Sequence, residues 1–220
     1  MSDAHQQVAL AARESYGRLL AWLTSRCGSI ATAEDALLCL CESRRDARRT
    51  ADGRYVPLQE QDTARWDTEM ILEGKKALWL AIRHDDHGYY QSEASIQLVH
   101  ADRAQSGTTD WALIHGEYRR LVSRSPSLGA WIGYASSFGR VGDPTGGLTV
   151  LDQIDTATAR HHQPYWAVRA WLLARCDRPV EASQAYDRAI GLAVDPAVRD
   201  WLTEQRATLA EGAPVLDRSR

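Results

Sequence analysis

The sequence predicts an all-α protein built of stacked helix pairs, and three observations carry that expectation. Apolar residues recur at three- and four-residue spacing over long stretches, as in "VALAARESYGRLLAWL" (8–23). Residues that cap helices recur along the chain: Thr32, Asp62 and Ser127, and two Asp-Pro pairs, Asp143-Pro144 and Asp195-Pro196. Alternating polar and apolar runs, the mark of strands, are lacking except for a short piece of extended chain at 54–58.

Taken in order, "TAEDALLCLCESRRDARR" (32–49) opens with Thr32 and has Asp35 three residues on, a weak capping-box pattern. "TADGRYVPLQEQD" (50–62) breaks that helix, because Asp52-Gly53 is a turn pair and Pro57 stops regular structure. Asp62 is placed to cap a helix over 63–83, and "HDDHG" (84–88) is a loop. Further helices are expected over 89–104, 111–123, 128–140 capped by Ser127, 144–154, 164–175, 179–192 and 196–210.

Composition narrows the function classes. Hydrophobic residues make up 44% of the 220, enough for a sizeable core. The net charge of −3 argues against nucleic-acid binding, and the one dense basic run, "RRDARR" (44–49), suits a solvated helix end as well as it suits a phosphate. Four cysteines without a CxxC pair argue against zinc. "HDDH" (84–87) and His161-His162 lack the helical spacing of metal ligands, so no metal and no cofactor are expected. With no signal segment and no run of 18 apolar residues, the expectation is a reduced, cytoplasmic chain without a membrane partner.

The last third, "PYWAVRAWLLARCDRPVEASQAYDRAIGLAVDP" (164–196), resembles a tetratricopeptide helix pair, placing a repeat of that kind at 164–197. "RESYGRLLAWLTSRCGSIATAEDAL" (13–37) resembles the start of region 2 in extracytoplasmic-function sigma factors. From Leu38 onward, "SRRDARRTADGRYVPLQEQDTARWDTEMILEG", "YYQSEASIQLVHA" and "TDWALIHGEY" resemble the helical C-terminal extension of the large, tetratricopeptide-containing group of those factors. The resemblance implies a fragment at 1–37 that caps the helical stack, a helical domain at 38–212 and a tail at 213–220. The rest of region 2 and the region 4 recognition helices are missing between the two matches. A chain so joined is expected not to read promoters.

Against that family pattern, Arg45, Arg48, Gln61, Asp62, Trp66 and His100 match, whereas Glu42, Glu93, Gly133, Tyr134 and Arg140 stand where it carries His, Gln, Asn-Arg and Glu. Glu93 and His100 are seven apart, on one helix face. Gly129, Gly133 and Gly139 thin the helix that holds Trp131 and Tyr134, at a cost of up to about 1 kcal/mol each relative to Ala. Either that helix packs closely on a neighbour or it edges a cavity. Glu93, His100, Tyr134 and Glu42 are the catalytic candidates, since a buried carboxylate can hold a proton near neutral pH. Arg45, Arg48, Gln61, Asp62, Trp66, Trp131 and Gly133 are the binding candidates. Surface placement of Glu93, a core role for His100 and a structural ion-pair network around Arg45, Arg48 and Asp62 are the competing readings.

The function expected is binding, and conversion, of a small organic molecule by cofactor-free acid–base chemistry: cyclisation, isomerisation or hydrolysis in secondary metabolism. The competing expectation is a regulatory module that binds a protein partner, with a homodimer left open.

Overall fold

The computed structural model describes residues 31–83 and 88–210. Helix α1 (31–42) leads into a 3₁₀ turn at Arg45–Arg48. The chain then doubles back: Thr50 and Arg54 close a turn, Val56 N donates to Arg48 O at 3.0 Å, and Arg49 bridges Tyr55 antiparallel. Gly53 makes this possible with φ +86°, a conformation that costs other residues Cβ strain. The turn and the extended piece expected at 50–58 are therefore present, as an isolated bridge.

The helix expected over 63–83 begins later. Two 3₁₀ turns, Leu58–Glu60 and Thr63–Arg65, precede α2 (Thr68–Ile82). Asp62 does cap, but it caps the second 3₁₀ turn through Ala64 N, and Asp67 caps α2 through Met70 N. The cause is Trp66, which sits in extended backbone and is only 5% exposed. Burying that indole in the core requires the chain to break helical geometry just before α2 starts.

Helix α3 (Tyr89–Ala101) gives way at Asp102 to a single turn, α4 (Arg103–Ser106), which Gly107 ends in the left-handed region. Helices α5 (Trp111–Arg124), α6 (Leu128–Arg140) and α7 (Pro144–Asp152) carry the side-chain caps Asp110, Ser127 and Asp143. The short α8 (Thr156–Ala159) precedes α9 (Gln163–Arg175), α10 (Pro179–Leu192) and α11 (Pro196–Ala210). Among the described residues there is no strand, so the all-α expectation holds.

Each helix packs chiefly on its chain neighbours, and three cores run along the stack. Ala36, Leu40, Trp66, Ile71, Leu78, Ala94 and Ala101 join α1, α2 and α3. Ile96, Ile114, Leu121, Val122 and Ala130 join α3, α5 and α6. The third and largest, including Ala135, Leu151, Leu172, Tyr186 and Leu202, joins α6 to α11. The boundary expected after residue 37 falls inside α1, whose Ala36 and Leu40 share one core. The remainder of the 1–37 fragment, residues 1–30, lies outside the described residues, as do 84–87 of "HDDHG" and the tail at 213–220.

Two long-range side-chain contacts among the described residues tie the first third to the last helix and its N-cap. The Arg49 guanidinium pairs with the Asp195 carboxylate, and the Tyr55 ring meets Trp201 edge-on at 5.6 Å. Two clefts flank this strap, of about 430 Å³ beside Tyr55 and about 170 Å³ beside Trp171, with Glu60, Trp201 and Gln205 common to both.

Candidate functional site

Helix α3 supplies the organising element. Tyr89, Glu93, Gln97 and His100 follow one another at four-, four- and three-residue steps, so they form one stripe. Apolar Ala94, Ile96 and Ala101 occupy the buried faces on either side of it. The stripe is polar where a globular helix would ordinarily be apolar, which is the sequence signal that singles α3 out.

At its start, Tyr89 is hydrogen-bonded to both Glu93 and Ser127. The directions follow from donor counting: Ala130 N donates to Ser127 Oγ at 3.1 Å, Ser127 donates to Tyr89, and Tyr89 donates to Glu93. Burial holds the Glu93 carboxyl above its ordinary range, and the Tyr89 hydrogen bond only partly opposes that. Ser127 is at once the N-cap of α6 and a wall of a cleft of about 370 Å³. Pro126, Leu128, Trp131 and Ile154 give this cleft apolar walls, and Gln153, Asp155 and Thr158 add polar groups. Gly129 is exposed, with nothing within 4 Å of where a Cβ would stand.

Gly133 behaves differently. A Cβ there would meet the Tyr118 ring at 2.4 Å, so α5 lies directly on α6 at this point. Close packing, not a cavity, explains this glycine, and Gly139 is likewise covered by Trp171. Tyr118 carries a hydroxyl whose pKa is raised by burial and by Glu93, which places it against the α3 stripe.

At the far end of the stripe His100 is 9% exposed and meets Trp111 edge-on at 5.4 Å. Burial, with Arg44, Arg103 and Arg140 nearby, depresses its pKa to about 3, so it stays neutral. His100 is thus a core histidine in a cationic neighbourhood and not a proton partner for Glu93, which is two turns away.

The other expected residues divide. Trp66 is buried with Arg103 stacked on its ring at 4.9 Å, and Gln61 donates to Val56 O at 3.2 Å. Glu42 pairs with Arg45 and, at 3.6 Å, with Arg48 in a solvent-facing network, with Arg45 74% exposed. That network ties the end of α1 to the turn after it, and Asp62 caps separately. Tyr134 belongs to an aromatic cluster with His115 at 5.2 Å and Phe138 at 5.0 Å. In that cluster His115 Nδ1 lies 2.9 Å from Ser137 Oγ, which itself donates to Tyr134 O. The serine proton is therefore committed to the backbone, and the pair pins α5 to α6 instead of forming a nucleophile.

Sequence reasoning missed Tyr89, Arg44, Gln97 and Tyr118. The periodicity of α3 would have found Tyr89 and Gln97, which share a face with Glu93. Among the described residues no group of three His, Cys, Asp or Glu side chains is arranged to hold a metal.

Residues 9–82 match a family of unknown function, DUF6596. An uncharacterized protein of Rhizobium meliloti (strain 1021) is 33% identical over 183 residues, covering 80% of this chain. The chain spans 43% of the length of that relative. No solved structure matches. No described helix is long and apolar enough to cross a membrane.

Proposed function

We propose that the chain is a sigma-factor-derived helical module that binds a small organic molecule in the cleft beside Trp131 and acts on it by acid–base chemistry. One observation carries the reading: Glu93, a carboxylate of raised pKa, is joined through Tyr89 to Ser127 on the wall of that cleft. Apolar walls with a few placed polar groups suit a ligand of the same character. The Ser127–Tyr89–Glu93 row gives a path by which a proton taken at the cleft reaches a carboxylate able to hold it. Cyclisation, isomerisation and hydrolysis each have cofactor-free forms that run through such a proton transfer. We read α9 and α10 as a tetratricopeptide-like pair, on the small buried residues Ala170, Ala182, Ala185 and Ala189 that let them approach closely.

The test is ligand-observed NMR with a library of small aromatic and polycyclic hydroxy- and keto-compounds. Hits should lose their signal with Trp131→Ala and keep it with Trp79→Ala. Mass spectrometry should then find a product that depends on Glu93. A library without hits, or hits indifferent to Trp131, removes the cleft from the function.

A protein-partner reading has its own observation. Leu38 (56% exposed), Leu72 (45%), Trp79 (57%) and Leu80 (50%) leave large apolar side chains uncovered on α1 and α2. Sedimentation of the chain and of Trp79→Glu decides it: a homodimer or complex lost in the variant supports that reading.

A further inference from the structure

Arg44 is 6% exposed, yet no carboxylate pairs with it among the described residues. Its Nη2 donates to the Gln97 amide oxygen at 2.6 Å, and the Cys41 thiol lies in hydrogen-bonding range of the same guanidinium. Its Nη1 is buried and has no partner. A buried cation in that state is costly unless an opposite charge reaches it.

The surroundings make the charge surplus worse. Arg48 and Arg103 both act repulsively on Arg44. Arg103 is itself satisfied: it donates to Gln59 O at 2.6 Å and Gln61 O at 2.8 Å, and its plane covers Trp66. His100 faces the same arginines and contributes no charge. The Trp66 indole N–H, in a side chain 5% exposed, is a second buried donor without a partner. Gln61 Oε1 is a buried acceptor in the same state.

We propose that the layer between the 44–66 segment and α3 is a binding site for a small carboxylate monoanion, with Arg44 Nη1 and Trp66 Nε1 as its donors. One charge is wanted because Arg44 alone lacks compensation; a dianion would leave a negative charge buried in its place. A charge-assisted bond from a guanidinium to a carboxylate is the strong form of this contact. The unpartnered Gln61 oxygen calls for a donor beside the anion, as a 2-hydroxy acid supplies. The site shares α3 with the Trp131 cleft but none of its lining residues, so either proposal stands or falls without the other.

The experiment uses the full chain and glycolate as the probe, with chloride at equal ionic strength as the control. Melting temperature is followed against glycolate concentration, and ¹³C-glycolate line widths are followed at fixed protein concentration. The wild type should gain melting temperature with glycolate and saturate, as a ligand of the native state does. Trp66→Phe, which removes the N–H together with the five-membered ring of the indole and so also loosens the core, should weaken the apparent affinity about 10-fold. Arg44→Gln should abolish the response, and the exposed Arg45→Gln should keep it. Trp66→Phe keeps the result readable if Arg44→Gln does not fold. No response beyond chloride in the wild type overturns the proposal and leaves water as the partner of these atoms. An unchanged response in Trp66→Phe overturns it equally.

Discussion

Tyr89 donates its phenolic hydrogen to Glu93, one turn further along α3, while accepting one from Ser127 at the start of α6. A tyrosine in this position fixes the carboxylate, which is partly buried and has no cationic partner among the described residues. Arginine there would have lowered the Glu93 pKa; desolvation instead raises it.

Glu93→Gln should keep the fold, because the amide oxygen still accepts from Tyr89. Under the proposed acid–base reading it should lower turnover by about 10²–10⁴-fold, the usual loss for a missing acid or base. The pH dependence has a definite sign. The folded pKa lies above the ordinary 4.5, so the folded state holds the proton more tightly than the unfolded one. That contribution to stability is fully present below pH 4.5 and is lost as pH rises through the raised value. Urea denaturation across this range should show the loss in the wild type and its absence in Glu93→Gln. An identical pH profile in the two proteins removes Glu93 as a titrating group.

His100 acts with the opposite sign. Its folded pKa of about 3 lies below the ordinary 6.5, so the unfolded state gains the proton first. Stability present above pH 6.5 should fall by about 1 kcal/mol for each pH unit between there and pH 3. His100→Gln should flatten that slope. A His100 resonance titrating near pH 6.5 in the folded protein contradicts the burial on which this rests.

Two glycines of α6 should respond in opposite directions. Gly133→Ala drives a methyl into the Tyr118 ring and should cost about 1–3 kcal/mol. Gly129→Ala meets nothing and should gain about 0.5–1 kcal/mol of helix stability. Urea midpoints measure both, and a neutral Gly133→Ala means that α5 and α6 are further apart than described.

The strap over α11 should depend more on its rings than on its charges. Arg49 and Asp195 are 39% and 43% exposed, and pairs of that kind contribute little. Tyr55→Ala removes the ring against Trp201, an interaction of about 0.5–1.5 kcal/mol beyond its buried area. Trypsin cleavage after Arg54 should accelerate roughly 10-fold in Tyr55→Ala and hardly at all in Asp195→Asn. Equal rates in the two variants would assign the strap to the ion pair.

Much of the helical layout was legible in the sequence because caps are local. Ser127, Asp143 and Asp195 each bond a backbone N–H two or three residues on, so neighbouring residues settle the matter. The region around 62–68 was not legible, since Asp62 and Asp67 are equally good caps and the burial of Trp66 chooses between them. The same limit applies to the site. Spacing put Glu93 and His100 on one face, but only tertiary packing neutralises one and orients the other. Gly133 illustrates the remainder: a thinned helix reads alike for a cavity or a close neighbour, and the neighbour, Tyr118, is fifteen residues away on another helix. Arg44 sits in a run that reads as a solvated helix end; nothing in "RRDARR" marks which arginine turns inward.

The Arg49–Asp195 pair joins residues 146 positions apart. Most other contacts in this stack are between adjacent helices, which can zip up locally and fast. The strap is different in kind, because closing so long a loop carries its entropy up front. The turn itself is held by its own backbone bonds, Thr50 to Arg54 and Val56 to Arg48, so α11 adds the outer face of the strap and not its shape. Shortening the C-terminus before Pro196 would leave the aromatic Tyr55 facing water at the opposite end of the chain from the cut.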